Sequence, residues 1–358
     1  RIQLDHVRVS WFRPTEITGV TLFDAQGDKI VAAPTAQMSW SLWDIVFRKP
    51  VVIQLILNQA NIDIERSRDG SIDLLETLKP VLSDEPDHSL LIRVVDGRLR
   101  CRDATLANPI LAEKANINLD LNAYPQPIAW DMALEHARDG GATGQVQFQG
   151  SSSRQKDANG SPDELAFVGK ARQWPFDYAT NSISARGVLD GQVDYRQKTG
   201  QVGVSVDGKM TEFNATGSAL SGDQLRLDTI SVAVKAERRD QVWTAQQLDL
   251  TSPIASINAT GSLPPSEGRE AHLKGEADLA ALASQLPKTL RLKPDLRIEK
   301  GTATFQANVS GDPNGNGQII DATGKLADLV AMRGDQRLTL PEPPSLSARI
   351  HRQEQNLS

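Results

Sequence analysis

The side chains able to do chemistry are scattered through this chain rather than gathered. Its five histidines, His6, His88, His136, His272 and His351, stand far apart, with no pair at metal-ligand spacing. A zinc site needs several nitrogen or sulfur ligands converging, and Cys101 is the sole cysteine. One cysteine forms no intrachain disulfide, so it neither demands nor excludes an oxidising compartment. The 45 acidic residues could supply acid–base pairs, but spacing selects none of them. A Gly-x-Ser-x-Gly elbow, a phosphate-cradling glycine loop and a His-Glu-x-x-His pair are all missing. The sharpest short motif is Asp312-Pro-Asn-Gly-Asn-Gly317, which matches positions 1, 3, 5 and 6 of a calcium loop. Position 12 is Thr323 where a bidentate acid is needed, so the motif reads as a polar hairpin loop. The expectation is a non-catalytic protein without metal or cofactor.

What the chain does carry is alternation. Apolar residues recur at every second position in Ile53/Leu55/Leu57, Ile62/Ile64, Ile117/Leu119/Leu121, Val202/Val204/Val206 and Ile230/Val232/Val234. Asn, Gln, Asp, Ser or Lys fill many of the positions between, which is the pattern of antiparallel strands with one dry face and one wet face. Asp-Gly at 69–70, 96–97, 190–191 and 207–208 reads as hairpin turns, most clearly at Asp96, Asp190 and Asp207. Asn214-Ala-Thr-Gly-Ser218 recurs as Asn258-Ala-Thr-Gly-Ser262 and, varied, as Asp321-Ala-Thr-Gly-Lys325, at unequal intervals. That argues for a meander reusing one turn style rather than a strict solenoid. Short amphipathic helices are expected over Ser41–Arg48, Ser71–Leu82 and Ala277–Leu290, the last broken by Pro287. Loops fall at Gly140–Gly144, Ser151–Asp163 and Gly311–Gly317.

Composition narrows the function. With 39% hydrophobic and 5% aromatic residues, the chain is too lean for several compact cores, and one sheet with a wet face suits it better. Net charge is −6, and no basic stretch interleaves with aromatics, which excludes a nucleic-acid partner. No run approaches the 18 apolar residues of a membrane-spanning helix. The chain opens inside a strand-like run, Arg1-Ile-Gln-Leu-Asp-His-Val, and reads as a piece of a longer protein.

The expected fold is all-β: an elongated, twisted and curved antiparallel sheet forming an apolar groove, with two or three short amphipathic helices. Residues 1–150 form one β-rich unit with two helices, 151–163 a polar loop, and 164–358 a continuing meander with a helix near 277–290. The candidate groove lining is Ile53, Leu55, Leu57, Ile117, Leu119, Leu121, Val202, Val204, Val206, Ile230, Val232 and Val234. An aliphatic face that is not fully self-packed suits acyl chains, which need dryness and no specific hydrogen bonds. The same alternation also fits the sealed core of tandem β-sandwiches in a structural or adhesive surface protein, and periodicity leaves core against groove open.

The N-terminal part resembles the AsmA-like, TamB-related family of envelope proteins. The likeness runs through Val7-Arg-Val-Ser-Trp11, Ile17-Thr-Gly-Val-Thr-Leu22, Ser41-Leu-Trp-Asp-Ile-Val46, the stretch Leu55 to Arg66, and Asp69-Gly-Ser-Ile-Asp-Leu-Leu75. Leu91-Ile-Arg-Val-Val-Asp-Gly-Arg-Leu99 and Ala277-Asp-Leu-Ala-Ala-Leu282 are similar to its repeated units. The resemblance implies a periplasmic, bridge-like lipid-transfer segment that carries phospholipid or another acyl lipid. It further implies anchoring to the inner membrane through a segment outside this chain, an outer-membrane or envelope protein partner, and no catalytic residues.

Overall fold

In a computed structural model, the chain is described over residues 1–48, 52–74, 76–78, 88–106, 108–137, 143–155, 162–266, 269–311, 317–340 and 342–353. These residues form twenty strands and a few short helical segments, which bears out the all-β expectation. The chain divides into two compact units, Arg1–Asn181 with Asp194–Thr199, and Ser182–Val193 with Gly200–Ser358.

The first unit holds β1 (Ile2–Arg8), β2 (Thr15–Phe23), β3 (Lys29–Met38), β4 (Val52–Asn58) and β5 (Asn61–Arg66). It continues with β6 (Ser89–Asp103), β7 (Ile110–Leu121), β8 (Ile128–Ala137), β9 (Thr143–Ser152) and β10 (Glu164–Ala179). From β1 to β3 and from β6 to β10 each strand pairs antiparallel with the next, and β3 also pairs antiparallel with both β4 and β5. Both β4 and β5 run parallel to β6, with Val52 opposite Ser89 and Asn61 opposite Arg98. The two are halves of one strand, broken at Gln59 (φ 54°) but unchanged in register. A parallel pair requires a crossover connection, which the chain between β5 and β6 supplies. Within that crossover, Asp69 accepts hydrogen bonds from the Ser71 amide (3.0 Å) and hydroxyl (2.7 Å). Residues 73, 74 and 76–78 are helical; the remainder of the expected Ser71–Leu82 helix lies outside the described residues.

The second unit receives Ser184–Val193 of β11 (Ser184–Lys198), the rest of that strand belonging to the first. Its other strands are β12 (Gln201–Thr216), β13 (Gln224–Arg239), β14 (Val242–Thr251), β15 (Ala255–Ser266) and β16 (Arg269–Asp278), then β17 (Leu296–Gly311), β18 (Gly317–Arg333), β19 (Gln336–Thr339) and β20 (Ser345–Gln353). From β12 to β18 each strand pairs antiparallel with the next, and β18 then pairs with β20 over Gly317–Lys325 and with β19 over Val330–Arg333. The helix Leu279–Gln285 is shorter than the expected Ala277–Leu290. Ala277 and Asp278 still belong to β16, and the Asp278 carboxylate caps the helix by accepting from the amides of Ala280 (2.9 Å) and Ala281 (3.0 Å).

Three hairpin expectations are corrected. Asp96-Gly97, Asp190-Gly191 and Asp207-Gly208 all lie inside long strands, β6, β11 and β12. Glycine in a strand interior marks a bulge or a close approach of backbones, and both occur here. Asp96 (φ 50°) sits in a register shift between β6 and β7. A side chain on Gly191 would meet the Asp207 carbonyl oxygen at 2.7 Å and the Gly208 backbone at 2.9 Å. Asp69-Gly70 is a true turn, with Gly70 at φ 89°. The β13–β14 hairpin turns instead on Asp240 and Gln241, both left-handed (φ 48° and 68°), between paired Arg239 and Val242. The Ala-Thr-Gly repeats likewise share no common turn, since 258–262 lies within β15 and 321–325 within β18.

Candidate functional site

The candidate site is a sheet face rather than a cleft. Residues directly opposite in a ladder project to the same side, so register alone sorts side chains onto faces. In the second unit, Val206 lies opposite Val234, Val234 opposite Leu248, Leu248 opposite Ala259, Ala259 opposite Leu273, Leu273 opposite Ala307, and Ala307 opposite Ala322. A neighbouring row runs Val232, Leu250, Ile257, Gly275, Phe305, Gly324 and Leu346. Two apolar rows thus cross the unit without a polar interruption. The opposite face is polar and internally paired. Asn258 donates to Asp249 at 2.7 Å, and Arg349 holds Asp321 through two bonds of 2.6 and 2.9 Å. Hydrogen bonds from Gln247 and Asn258 keep the Asp249 carboxyl below the usual range, as the Arg349 guanidinium does for Asp321.

Among the expected lining residues of this unit, Val202 is buried and Val204, Val206, Ile230, Val232 and Val234 are half-buried. All six share the face: Gly208 pairs with Val232 and Met210 with Ile230 in the same register. Leu248 is 37% exposed and Phe305 38%, which decides the state of this face: it is partly wetted, unlike a sealed core. One end is closed. Leu227, Ile254, Ala283 and Leu286 are buried where the helix Leu279–Gln285 meets the sheet, and the Arg226 amide donates to Gln285 at 2.7 Å. The Asp223 carboxylate accepts from the Thr289 amide (2.7 Å) and hydroxyl (3.0 Å), pinning the segment that follows the helix.

In the first unit the rows run Val7, Ile17, Ala36, Leu57, Val94, Ile117, Met132 and Phe148, and beside them Met38, Leu55, Ile92, Leu119 and Trp130. Ile53, Leu55, Ile117 and Leu119 are half-buried, while Leu57 and Leu121 are buried. Here the face packs on itself. Ala36, Ala60 and Ala115 are at most 1% exposed beneath larger neighbours such as Leu57, Val94 and Ile117. Aromatic rings cover strand glycines in both units: Trp130 lies over Gly150 and Phe305 over Gly275.

Each unit is one ladder, not two stacked sheets, and the central residues of the second are half-exposed; this overturns the tandem-sandwich alternative. Sequence reasoning missed Leu248, Leu250, Ile257, Leu273 and Phe305. A register irregularity between Ala245 and Leu248 breaks the alternation in β14, and Ala and Gly occupy face positions in β15 to β17. Counting Ala and Gly as permitted face residues would have found them.

The chemistry-bearing residues stay apart in space. His6, His88, His272 and His351 are exposed, and His136 packs beside Trp174 with ring centroids 5.9 Å apart. Burial, reinforced by the charges of Asp103, Asp73 and Asp63, pushes the Cys101 thiol up, away from the thiolate a nucleophile needs. No group of three or more His, Cys, Asp or Glu side chains could hold a metal among the described residues. The calcium-like stretch at 312–316 lies outside them, as do residues 140–142 and 156–161 of the expected loops. No helix among the described residues is long and apolar enough to cross a membrane. No protein-family model matches the chain, and no curated protein matches it.

Proposed function

We propose that this chain is a non-catalytic, lipid-binding segment of a cell-envelope protein, of the AsmA-like kind, which carries acyl chains along the apolar face of its sheet. The observation that supports the reading is the half-exposed row Val206, Val234, Leu248, Ala259, Leu273 and Ala307, with polar side chains on the reverse face. A phospholipid tail laid across such rows gains about 0.8 kcal/mol per buried methylene and needs no directed hydrogen bond, so it can slide between equivalent positions. The head group stays in water. In this reading the segment works in the periplasm, tied to the inner membrane through chain outside these residues and to an envelope protein at its far end.

The test is site-specific photo-crosslinking in cells, one photoreactive residue at a time. Lipid adducts at 204, 206 and 234, with none at 205, 207 and 235, support transport along this face. Absence of adducts at all six positions sinks it.

A further inference from the structure

Away from the sheet face, a second apolar surface stands at the start of the first unit. The connection between β1 and β2 and the helical turn at 42–48 are stitched together by two backbone bonds, Leu42 amide to Ser10 carbonyl (2.9 Å) and Trp43 amide to Trp11 carbonyl (3.2 Å). The turn is fixed at its start. Ser41 donates from its amide (3.1 Å) and hydroxyl (2.6 Å) to Asp44, whose own amide donates back to the Ser41 hydroxyl at 3.3 Å. On this frame Phe12, Trp43 and Phe47 form a chain of rings, with centroids 6.0 and 4.3 Å apart. None is buried. Phe12 is 81% exposed, Phe47 61%, Trp11 53% and Trp43 40%.

We infer that this knob is a membrane-docking site that inserts Phe12 and Phe47 into the interfacial region of an anionic lipid surface. Three features select lipid over protein as the occupant. The pure hydrocarbon rings Phe12 and Phe47 are more exposed than the amphipathic indoles of Trp11 and Trp43, which suits rings that enter acyl chains and indoles that rest at head groups. The two segments 8–13 and 41–48 carry Arg8, Arg13 and Arg48; Arg8 pairs with Glu16 at 3.7 Å and Arg48 with Asp44 at 3.4 Å, which leaves the site net positive through Arg13 within a chain of net charge −6. Finally, Ser41 and Arg48 both bind the Asp44 carboxylate, which is only 26% exposed and so presents little negative charge to an approaching surface. Aromatic insertion flanked by arginines is how a folded domain adheres to a leaflet without crossing it. The inference stands independently of acyl binding along the sheet.

The experiment is flotation of the whole chain with phosphatidylcholine vesicles, with and without phosphatidylglycerol. The chain is expected to float with the anionic vesicles, and Phe12→Ser and Phe47→Ser each to weaken that association about tenfold. Arg13→Glu should weaken it on anionic vesicles only, whereas Ser231→Ala, exposed on the polar face of the second unit, should leave it unchanged. Lipids brominated near the head of the acyl chain should also quench the tryptophan fluorescence of the unaltered chain, a readout independent of any variant's folding. Failure of the unaltered chain to float or be quenched overturns the proposal. So does a self-associated species in sedimentation equilibrium that Phe12→Ser dissolves, because the knob would then hold a second copy. Flotation that persists when no lipid crosslinks at 204 or 206 would sink the transport reading and leave this one standing.

Discussion

The two units use the same device, an apolar sheet face, and finish it differently. In the first, alanines at 36, 60 and 115 let neighbouring side chains close over the strands, and the face becomes a core. In the second, Ala259, Gly275, Ala307, Ala322 and Gly324 alternate with larger residues along the rows, and a helix seals only one end. Small residues occur in both, so what surrounds them is the difference. In the first unit Leu57, Val94, Ile117, Met132 and Phe148 follow one another along a row and close over the alanines, whereas in the second the small residues separate Leu248 and Phe305 from large neighbours and leave their outer ends without partners. What reads as identical alternation in sequence is therefore closed over in one place and half-exposed in the other.

Substitutions separate the two most sharply where packing is tightest. Leu57→Ala in the first unit should cost about 2–5 kcal/mol, because the site is buried among Ile17, Ala36, Ala60 and Val94. Leu248→Ala in the second should cost less than about half as much; chemical denaturation of both variants checks this, and equal losses would erase the distinction. Enlarging a residue reverses the sense of the comparison. Ala115→Leu should overpack its cluster at a cost of about 1–3 kcal/mol, while Ala307→Leu, half-buried on the open rows, should be close to neutral in thermal melts.

Loosening the seal of the second unit is the next largest effect. Asp278→Ala removes the cap of its helix, an expected loss of about 1 kcal/mol, read as faster amide exchange confined to 279–286. Val204→Asp should leave the circular dichroism spectrum intact and abolish crosslinked lipid at neighbouring positions; unfolding instead would mark that face as a sealed core. The smallest effect is acid sensitivity of the polar reverse face. Asp249 and Asp321 have carboxyls lowered by their partners, so the stability they contribute is present above the unfolded carboxylate range and lost as pH falls through their depressed values. Asp321→Asn should therefore lower stability slightly near neutrality, where the charged partner of Arg349 is lost, and flatten the profile below about pH 4, where wild type and variant converge.

The helix starts show how local chemistry is legible. Ser41 with Asp44, and Asp278 ahead of Leu279, are side chains that satisfy the first free amides of a helix, and both signals stand in the sequence. The Asp-Gly pairs show the limit. Asp96, Asp190 and Asp207 carry the same dipeptide as Asp69, yet only Asp69 precedes a turn, because the others have strand partners close enough to claim the glycine. Cross-strand partners come from distant sequence, and no local rule sees them.

Alternation and a lean apolar and aromatic content were thus enough to establish an all-β chain with one apolar face, since side-chain direction in a strand has a period of two whatever the strand pairs with. Tertiary structure alone decided that β4 and β5 run parallel to β6, that Leu248 joins the row begun by Val206, and that Ile257 and Phe305 join the row begun by Val232. It also decided which face closes and which stays half-open. Those outcomes depend on register and on the size of the residue opposite, and neither exists until strands from separate parts of the chain lie side by side.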